Sequence, residues 1–366
     1  MSNGLALGID LGGTKIYAVV TDKDHHIISD AKVNTPSGKP PEETAAAIAE
    51  LGRQALASAG TDFASVDGIG VAIPAPVDPE TGDCLHATNL GWKNFSMKKI
   101  FRELTGREVY FGNDGNLGIL AEYHCGAAKG FRTVIGYYVG TGLGGGIMID
   151  GKLHCGNSGL AGEFGHAIIK QGGRRCGCGH RGCAEAYCSK IAFVKELKKK
   201  VFKHGMPTCL PAEKFNAQSR NIKSRQLAKA YLAGDPPVCT VINKGAYMLG
   251  VAAASAAAII APDCIILGGG VISALGEEMY PVSSAVSTTI CSELIRQKFK
   301  SVSPSWAIPL WRWAQPFSPA ETERFETHAE SEQCGRTEKI SAGDDRPRRA
   351  FLPHAAGGMR SEDADA

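Results

Sequence analysis

A cysteine-rich segment carries the strongest chemical signal in the chain. Cys176, Cys178 and Cys183 fall close together, and His166 precedes them by ten residues. Three thiolates and one imidazole are the donor set of a closed structural zinc site, and the glycines between the cysteines let the backbone fold tightly enough for the sulfurs to converge. The sequence therefore predicts a zinc knuckle rather than disulfides. Cys188 is close enough to be a rival fourth ligand in place of His166.

Two glycine loops suggest phosphate binding. Gly8–Lys15 and Gly140–Gly146 each join two apolar, strand-like runs. Neither loop has the spacing of a Walker A or dinucleotide motif, but a glycine turn between strands exposes N–H groups that can bind phosphate oxygens. Asp10 can hold a hydrated Mg²⁺, and Thr14 adds a hydroxyl. A plain hairpin turn is the alternative for the first loop alone, whereas the duplication favours two loops that clamp a nucleotide.

Three carboxylates are candidates for work on a polyhydroxylated substrate. Asp114 directly follows a predicted strand and Asn113, at the strand end where α/β sheets present ligands. One carboxylate that accepts the proton of an attacking hydroxyl is what phosphoryl transfer needs. Glu163 and Glu185 flank the zinc knuckle and can accept hydrogen bonds from polyol hydroxyls. The competing interpretations are a helix cap for Asp114 and solvated surface charges for the two glutamates.

These residues must be positioned by an α/β framework that occurs twice. Strand, glycine loop and strand recur about 130 residues apart, which predicts two lobes of related topology. A third glycine loop, Gly268–Gly270, follows another strand. Strands are predicted over residues 5–10, 16–20, 26–29, 68–73, 108–111, 133–139, 147–150 and 264–267, and helices over 42–60, 97–104 and 248–260.

Composition limits the class of protein. The 366 residues are 43% hydrophobic and 21% charged, which is typical of a globular protein long enough for two lobes and excludes disorder as the main state. The absence of a long apolar run or a leader pattern predicts a cytoplasmic protein without membrane contact. A net charge of +3 does not favour nucleic-acid binding. The twelve cysteines divide into the knuckle and scattered residues without ligand spacing.

The motifs together resemble those of the ROK family of sugar kinases, sugar-responsive repressors and uncharacterised reading frames. The resemblance rests on Gly8–Lys15, Gly140–Gly146, the Glu163-Phe-Gly-His166 set and the Cys-x-Cys-Gly-x-x-Gly-Cys-x-Glu pattern at 176–185. It extends from about Leu5 to about Leu294. It implies the actin-like, hexokinase-like ATPase fold, in which two α/β lobes surround a cleft. We expect an N-terminal lobe over 1–117, a C-terminal lobe over 118–295 and an atypical, disordered tail over 296–366.

The resemblance also implies a function. It implies ATP-dependent phosphorylation of a hexose at the 6-hydroxyl, most simply by a glucokinase, with Mg²⁺ and a structural Zn²⁺ as cofactors. Fructose, mannose, N-acetylglucosamine and N-acetylmannosamine are alternative substrates, and polyphosphate is an alternative donor. A sugar-binding or sensing protein without useful catalysis is the rival class. Family members form homodimers or homotetramers, and none of the motifs here indicates a nucleic-acid partner.

Individual roles follow from the match. Asp114 corresponds to the catalytic base. Contacts to the sugar are implied for Gly70, Asn89, Asn113, Asp114, Glu163, His166 and Glu185. His166 would serve both as zinc ligand, with Cys176, Cys178 and Cys183, and as sugar contact through its second ring nitrogen. Nucleotide contacts are implied for Asp10, Gly12, Gly13, Thr14, Lys15, Gly140, Thr141, Gly142, Gly268, Gly269 and Gly270.

The chain departs from the family pattern in three places. Gly115 replaces an alanine and is expected to loosen the start of the following helix. The repressors carry a helix-turn-helix before the first phosphate loop, and the nine residues that precede Asp10 here are too few for one. The closing Leu-Gly-Asp-x-Ala-Gly-like segment is missing, although codons for Pro304–Leu310 exist that encode Leu-Gly-Asp-Pro-Ala in another frame. We therefore hypothesise a frame change near residues 295–304, which would leave the chain poorly stable or inactive.

Overall fold

Two five-stranded mixed sheets form the framework of the protein. The computed structural model describes residues 4–275 and 299–301, except positions 37, 79–80 and 88–91. The strands of the first sheet are β1 (Ala6–Leu11), β2 (Lys15–Thr21), β3 (Ile27–Asn34), β4 (Gly68–Ile73) and β7 (Tyr110–Asn113). Those of the second are β8 (Val134–Val139), β9 (Leu143–Ile149), β10 (Lys152–Leu153), β11 (Cys264–Gly268) and β12 (Phe299–Ser301). A small hairpin pairs β5 (Cys84–Ala87) with β6 (Trp92–Phe95).

The two sheets have the same topology. Their strand orders are β3-β2-β1-β4-β7 and β10-β9-β8-β11-β12. In each sheet an antiparallel hairpin, β1–β2 or β8–β9, is followed by two strands parallel to its first strand. The predicted duplication is therefore confirmed: the last strand of the first sheet ends at Asn113, and the first strand of the second sheet begins at Val134.

Helices cover the sheets and close three apolar cores. They are α1 (Pro41–Ser58), α2 (Met97–Thr105), α3 (Asp114–His124), α4 (Glu185–Cys188), α5 (Lys190–Lys198), α6 (Ser224–Leu232) and α7 (Pro236–Ile260). A 3₁₀ turn covers Phe164–His166, and a π turn at Lys199–Lys203 extends α5. Helix α1 packs with α2 against the first sheet, whereas α5, α6 and α7 pack with the second. No helix among the described residues is long and apolar enough to cross a membrane.

The predicted elements are confirmed with four main changes of boundary. Strand β3, predicted over 26–29, continues to Asn34. Helix α7 begins at Pro236, twelve residues before its predicted start, because Asp235 caps it and prolines at its first positions fit a helix start. Strand β7 lies two residues later than predicted. Strand β9 includes the glycines at 144–146, which the sequence assigned to the loop.

Close backbone packing explains why glycines occur in strand β9. A Cβ on Gly145 would collide with the carbonyl oxygen of Gly162, and one on Gly146 would lie 2.8 Å from the carbonyl oxygen of Gly115. Gly115 itself approaches Gly145 so closely that no side chain fits. The glycine expected to loosen the start of helix α3 is therefore what allows that helix to lie directly on β9.

Candidate active site

The carboxyl edge of the first sheet brings the two aspartates together. In the parallel register Asp10 pairs with Ala72, and the next residue along β4, Ile73, pairs with Asn113. Measured along the strands, Asp10 therefore lies about one residue from the end of β7, which Asp114 directly follows. The two carboxylates repel each other, as the effect of Asp114 on the pKa of Asp10 shows. This edge is where a parallel sheet presents its ligand-binding residues.

Thr35, which is not part of the glycine motif, holds the first glycine loop by hydrogen bonds. Within the loop the N–H of Gly12 donates to the carbonyl of Lys15 at 2.9 Å. The hydroxyl of Thr35, just beyond β3, donates to the carbonyl of Gly12 at 2.6 Å, and its N–H donates to the carbonyl of Thr14 at 3.0 Å. Thr35 carries no motif signal in the sequence, because only the antiparallel pairing of β2 and β3 brings it beside the loop.

Asp114 stands at the first turn of helix α3, which contacts strands of both sheets. Asn113 caps the helix by accepting hydrogen bonds from Gly115 N at 2.9 Å and Asn116 N at 3.2 Å. The helix cap, which was the competing interpretation for Asp114, is therefore Asn113. Asp114 Oδ1 accepts one bond from Gly115 N at 2.8 Å, and its side chain stays accessible.

Both aspartates have raised pKa values. Burial raises the pKa of Asp10 to about 8, and the charge of Asp114 adds to the rise. For Asp114, the surrounding protein raises the pKa to about 6 although the residue is accessible on one side; the Gly115 N–H opposes this rise, and the charge of Glu163 adds to it. No described residue donates a hydrogen bond to Asp10. A carboxylate that is poorly solvated and lacks donors is suited to a cation.

The raised pKa of Asp10 predicts a pH-dependent stability. Because the folded protein holds this proton more tightly than the unfolded chain, the contribution of Asp10 to the free energy of unfolding falls as pH rises from about 4 to about 8. We expect Asp10→Asn to match the parent near pH 4 and to become progressively more stable than it toward pH 8. Urea unfolding in Mg²⁺-free buffer across this range measures the difference.

Asp22 provides a control of opposite sign. The N–H of His26 holds the pKa of this partly exposed carboxyl below its usual range, so its contribution is complete above about pH 5. Asp22→Asn should therefore be less stable than the parent throughout pH 5 to 8, by a difference that does not grow toward pH 8, since His26, which lies 3.2 Å from this carboxylate, attracts it more strongly when protonated. Parallel curves for Asp10→Asn and the parent would contradict the prediction.

The second and third glycine loops lie side by side at the carboxyl edge of the second sheet. Gly268 pairs with Tyr138 near the end of β8, and the N–H of Val271 donates to the carbonyl of Val139 at 3.0 Å. The second loop is shorter than predicted and turns over residues 140–142, where Gly140 N donates to Gly142 O at 3.0 Å. The structure therefore brings the second and third glycine loops, both expected to contact the nucleotide, next to each other.

The cysteine cluster has the geometry of a tetrahedral metal site. One donor atom each from His166, Cys176, Cys178 and Cys183 lies within 4.8 Å of all the others. The Cys178 and Cys183 sulfurs are 3.7 Å apart, and Cys176 Sγ is 3.8 Å from His166 Nδ1. A tetrahedron with Zn–S bonds of about 2.3 Å separates its sulfurs by about 3.8 Å. These side chains therefore fit a zinc ion as they stand.

Cys188 does not belong to the cluster. It is fully buried on α4, with its thiol directed to the carbonyl of Gly245 at 3.5 Å. His166 is therefore the fourth donor that the geometry favours. The knuckle is closed by Gly182, which has φ of +88° and approaches the carbonyl of Lys170 too closely for any side chain.

The glutamates flanking the knuckle differ in their surroundings. Glu163 is half-buried, and no described residue donates a hydrogen bond to its carboxylate; burial raises its pKa, His166 opposes the rise and Glu185 adds to it. Glu185 Oε2 accepts from Leu143 N at 3.1 Å, while Oε1 lies 3.6 Å from Cys176 Sγ. Neither residue is a fully solvated surface charge.

One residue predicted to bind sugar, Gly70, does not join this group. Gly70 is buried in the middle of β4, where it pairs with Gly8 and Tyr110, three residues before the edge that carries Asn113. Asn89 lies outside the described residues, as does the predicted tail beyond residue 301. Asn113 is at the edge, and its amide nitrogen is 3.4 Å from the carbonyl of Ala75.

Known proteins are similar to this chain in both sequence and fold. The ROK family model matches residues 6–306. A glucokinase of Streptomyces coelicolor is 34% identical over 267 residues, covering 73% of this chain and 82% of the relative. A ROK family glucokinase from Streptomyces griseus, solved with glucose and AMPPNP, superposes with a TM-score of 0.70 at 31% identity and covers 82% of this chain and 94% of that one.

A repressor is also among the relatives. A xylose repressor of Caldicellulosiruptor bescii is 29% identical over 265 residues, but this chain spans only 65% of its length. The duplicated sheets and the order of the glycine loops, the aspartates and the cysteine cluster agree with these matches, and the architecture is the two-lobed, actin-like fold. The chain belongs to the ROK family.

Proposed function

We propose that this protein is a sugar kinase that transfers the γ-phosphoryl group of ATP to the 6-hydroxyl of a hexose, with glucose as the first candidate. The observation that carries the proposal is the accessible Asp114 carboxylate at the first turn of α3, beside Asp10 and between the sheets that bear the glycine loops. The glucokinase relatives support the choice of glucose. We also propose a cytoplasmic location, lobe boundaries at 1–117 and 118–295, and a homodimer or homotetramer.

Asp114 acts as the general base in this proposal. With a pKa of about 6 it is ionised near neutral pH, yet it is basic enough to accept the proton of a sugar hydroxyl as that oxygen attacks phosphorus. The attacking and leaving oxygens must be in line, so most of the catalysis is positioning and charge stabilisation. Asn113 fixes the helix start that carries Asp114 and presents its amide at the same edge.

The glycine loops supply the donors for the nucleotide. The N–H groups of Gly13 and Thr14, the Thr14 hydroxyl and the Lys15 ammonium are proposed to face the phosphates from one lobe, and the N–H groups of Thr141 and Gly142 from the other. Gly12 and Gly140, whose N–H groups close their own turns, are proposed to let the phosphates approach the backbone. Gly268, Gly269 and Gly270 are proposed to line the adenosine. Mg²⁺ held by Asp10 would neutralise negative charge on the phosphates. That role is consistent with a half-buried carboxylate to which no described residue donates.

The sugar is proposed to lie against the knuckle. Glu163 has free acceptor oxygens for ring hydroxyls, and His166 can bind zinc through Nδ1 and donate from its other nitrogen, since metal ligation fixes the tautomer. Glu185 can offer Oε1 to the same sugar. Zinc would be structural: it would order the strip of chain that carries these three side chains. We keep Gly70 and Asn89 as residues to test.

A panel of sugars in a coupled assay of ADP formation tests the proposal. We expect sugar-dependent ADP formation with glucose, and the panel should include fructose, mannose, N-acetylglucosamine and N-acetylmannosamine, with polyphosphate as an alternative donor. No turnover with any sugar and donor would contradict it.

The similarity to a xylose repressor supports one alternative, a sugar-binding regulator. Calorimetry distinguishes the two. Sugar binding without turnover at any ATP concentration would favour the regulator, whereas turnover that requires Asp114 favours the kinase.

A further inference from the structure

The segment that follows the knuckle forms three hydrogen bonds with the second glycine loop. We call residues 185–191 the post-knuckle segment. The N–H of Lys190 donates to the carbonyl of Gly140 at 3.0 Å, and the N–H of Ile191 donates to the carbonyl of Thr141 at 3.3 Å. The side chain of Glu185 accepts from the N–H of Leu143 at 3.1 Å. Every residue of the turn 140–143 except Gly142 is thus bonded to this segment.

Gly142 is held by packing instead. A Cβ placed on it would lie 2.5 Å from Glu185 Oε2, so the carboxylate fills the space beside this glycine. Glu185 therefore contacts the loop twice, by its hydrogen bond to Leu143 and by van der Waals contact with Gly142. Leu143 is buried, and its N–H would lose this acceptor if the carboxylate were removed.

The same carboxylate touches the metal-binding cluster. Glu185 Oε1 lies 3.6 Å from Cys176 Sγ, and Cys183 precedes Glu185 by two residues. The backbone between them is fixed by the N–H of Ala184, which donates to the carbonyl of Ala167 at 2.9 Å, next to His166. The two-residue backbone link from Cys183 to Glu185 thus joins the four-donor cluster to the turn that is proposed to hold the nucleotide phosphates. The contact with Cys176 does not add to this link when zinc is bound, because a ligating thiolate has no proton to donate.

We propose that Glu185 is a positioning residue that fixes the second glycine loop to the knuckle, so that an ordered metal site is required for tight nucleotide binding as well as for sugar binding. This inference rests on the proposed function of that loop. The zinc site then sets the loop conformation through a carboxylate–amide bond and two main-chain bonds, without any contact between metal and nucleotide.

Binding of AMPPNP with Mg²⁺ in the absence of sugar tests the inference. Glutamine keeps an oxygen that accepts from Leu143, whereas leucine has a similar size and no acceptor. We expect Glu185→Leu to weaken AMPPNP binding about tenfold, as the loss of one charge-assisted hydrogen bond predicts, and Glu185→Gln to stay within about threefold of the parent. Titration calorimetry measures both constants, and metal analysis with thermal unfolding checks that each variant keeps its metal and its fold.

Metal removal provides a second route that leaves Glu185 in place. Wild-type protein is stripped of zinc with a chelator, dialysed and supplied with Mg²⁺ only, and we expect AMPPNP to bind about tenfold more weakly until zinc is restored. Unchanged affinity in this protein or in Glu185→Leu overturns the inference, as does equal loss in the leucine and glutamine variants. If the untreated protein binds no AMPPNP, the proposed function itself fails.

Discussion

Asp114→Asn is expected to lower kcat by about 10²–10⁴-fold, because asparagine cannot accept the proton of the attacking hydroxyl. The substitution keeps the size of the side chain and the oxygen that accepts from Gly115, so helix α3 should start as before. Sugar binding should therefore change much less than kcat. Initial rates over a range of sugar concentrations, together with calorimetric Kd values, separate the two effects.

The pH dependence provides a second signature of Asp114. In the parent, kcat should rise with pH across about 5 to 7, because the base must lose its proton and its pKa is raised to about 6. The residual rate of Asp114→Asn should lack this step. Asp150→Asn is a matched control, since Asp150 is exposed at the opposite end of β9 from the second glycine loop and pairs with Arg132. Full activity in Asp114→Asn would exclude Asp114 as the base.

Cys178→Ser is expected to abolish zinc binding and to weaken sugar affinity at least tenfold. A structural zinc site needs all of its ligands, and the strip that carries Glu163, His166 and Glu185 is ordered around it. Cys178 is exposed, so its replacement leaves no cavity in the core. Metal analysis should find about one zinc per chain in the parent and none in the variant, and glucose titration gives the affinity.

Cys209→Ser is the control for the knuckle variant. Cys209 is also exposed but lies outside the four-donor cluster. We expect it to retain both zinc and sugar affinity. A Cys178→Ser protein that keeps one zinc per chain would show that the knuckle does not hold the metal through this residue.

Local sequence patterns predicted most of the framework because the signals are short in range. The runs 5–10 and 68–73 are apolar, and the second contains three β-branched residues, so each could be assigned as a buried strand from composition and bounding turns. The knuckle could be found because its three thiols are close in sequence. Asp114 could be found because it follows a strand directly, at the end where ligands are presented.

Tertiary contacts explain what local patterns did not predict. Thr35 reaches the first glycine loop only after β3 pairs with β2, and Glu185 reaches Leu143 across 42 residues of chain. The glycines of β9 belong to a strand because α3 and Gly162 press against it, which no window of sequence reports. Spacing alone leaves Cys188 as a rival ligand, but the packing of α4 against α7 directs its thiol away from the four-donor cluster.

The hypothesis of a frame change near residues 295–304 stays a prediction. The region lies outside the described residues apart from β12, and the family match ends at residue 306. Resequencing the coding DNA tests it, since a single-base change should restore a Leu-Gly-Asp segment. If no such change exists, the hypothesis is wrong.

The identity of the phosphorylated product tests the central claim most directly. The protein is incubated with glucose and Mg²⁺-ATP, and the product is examined by ³¹P and ¹³C magnetic resonance. Our account predicts glucose 6-phosphate, formed in equal amount to ADP and lost in Asp114→Asn. ADP formation without a sugar phosphate, phosphate on another hydroxyl, or equal product from Asp114→Asn would contradict it.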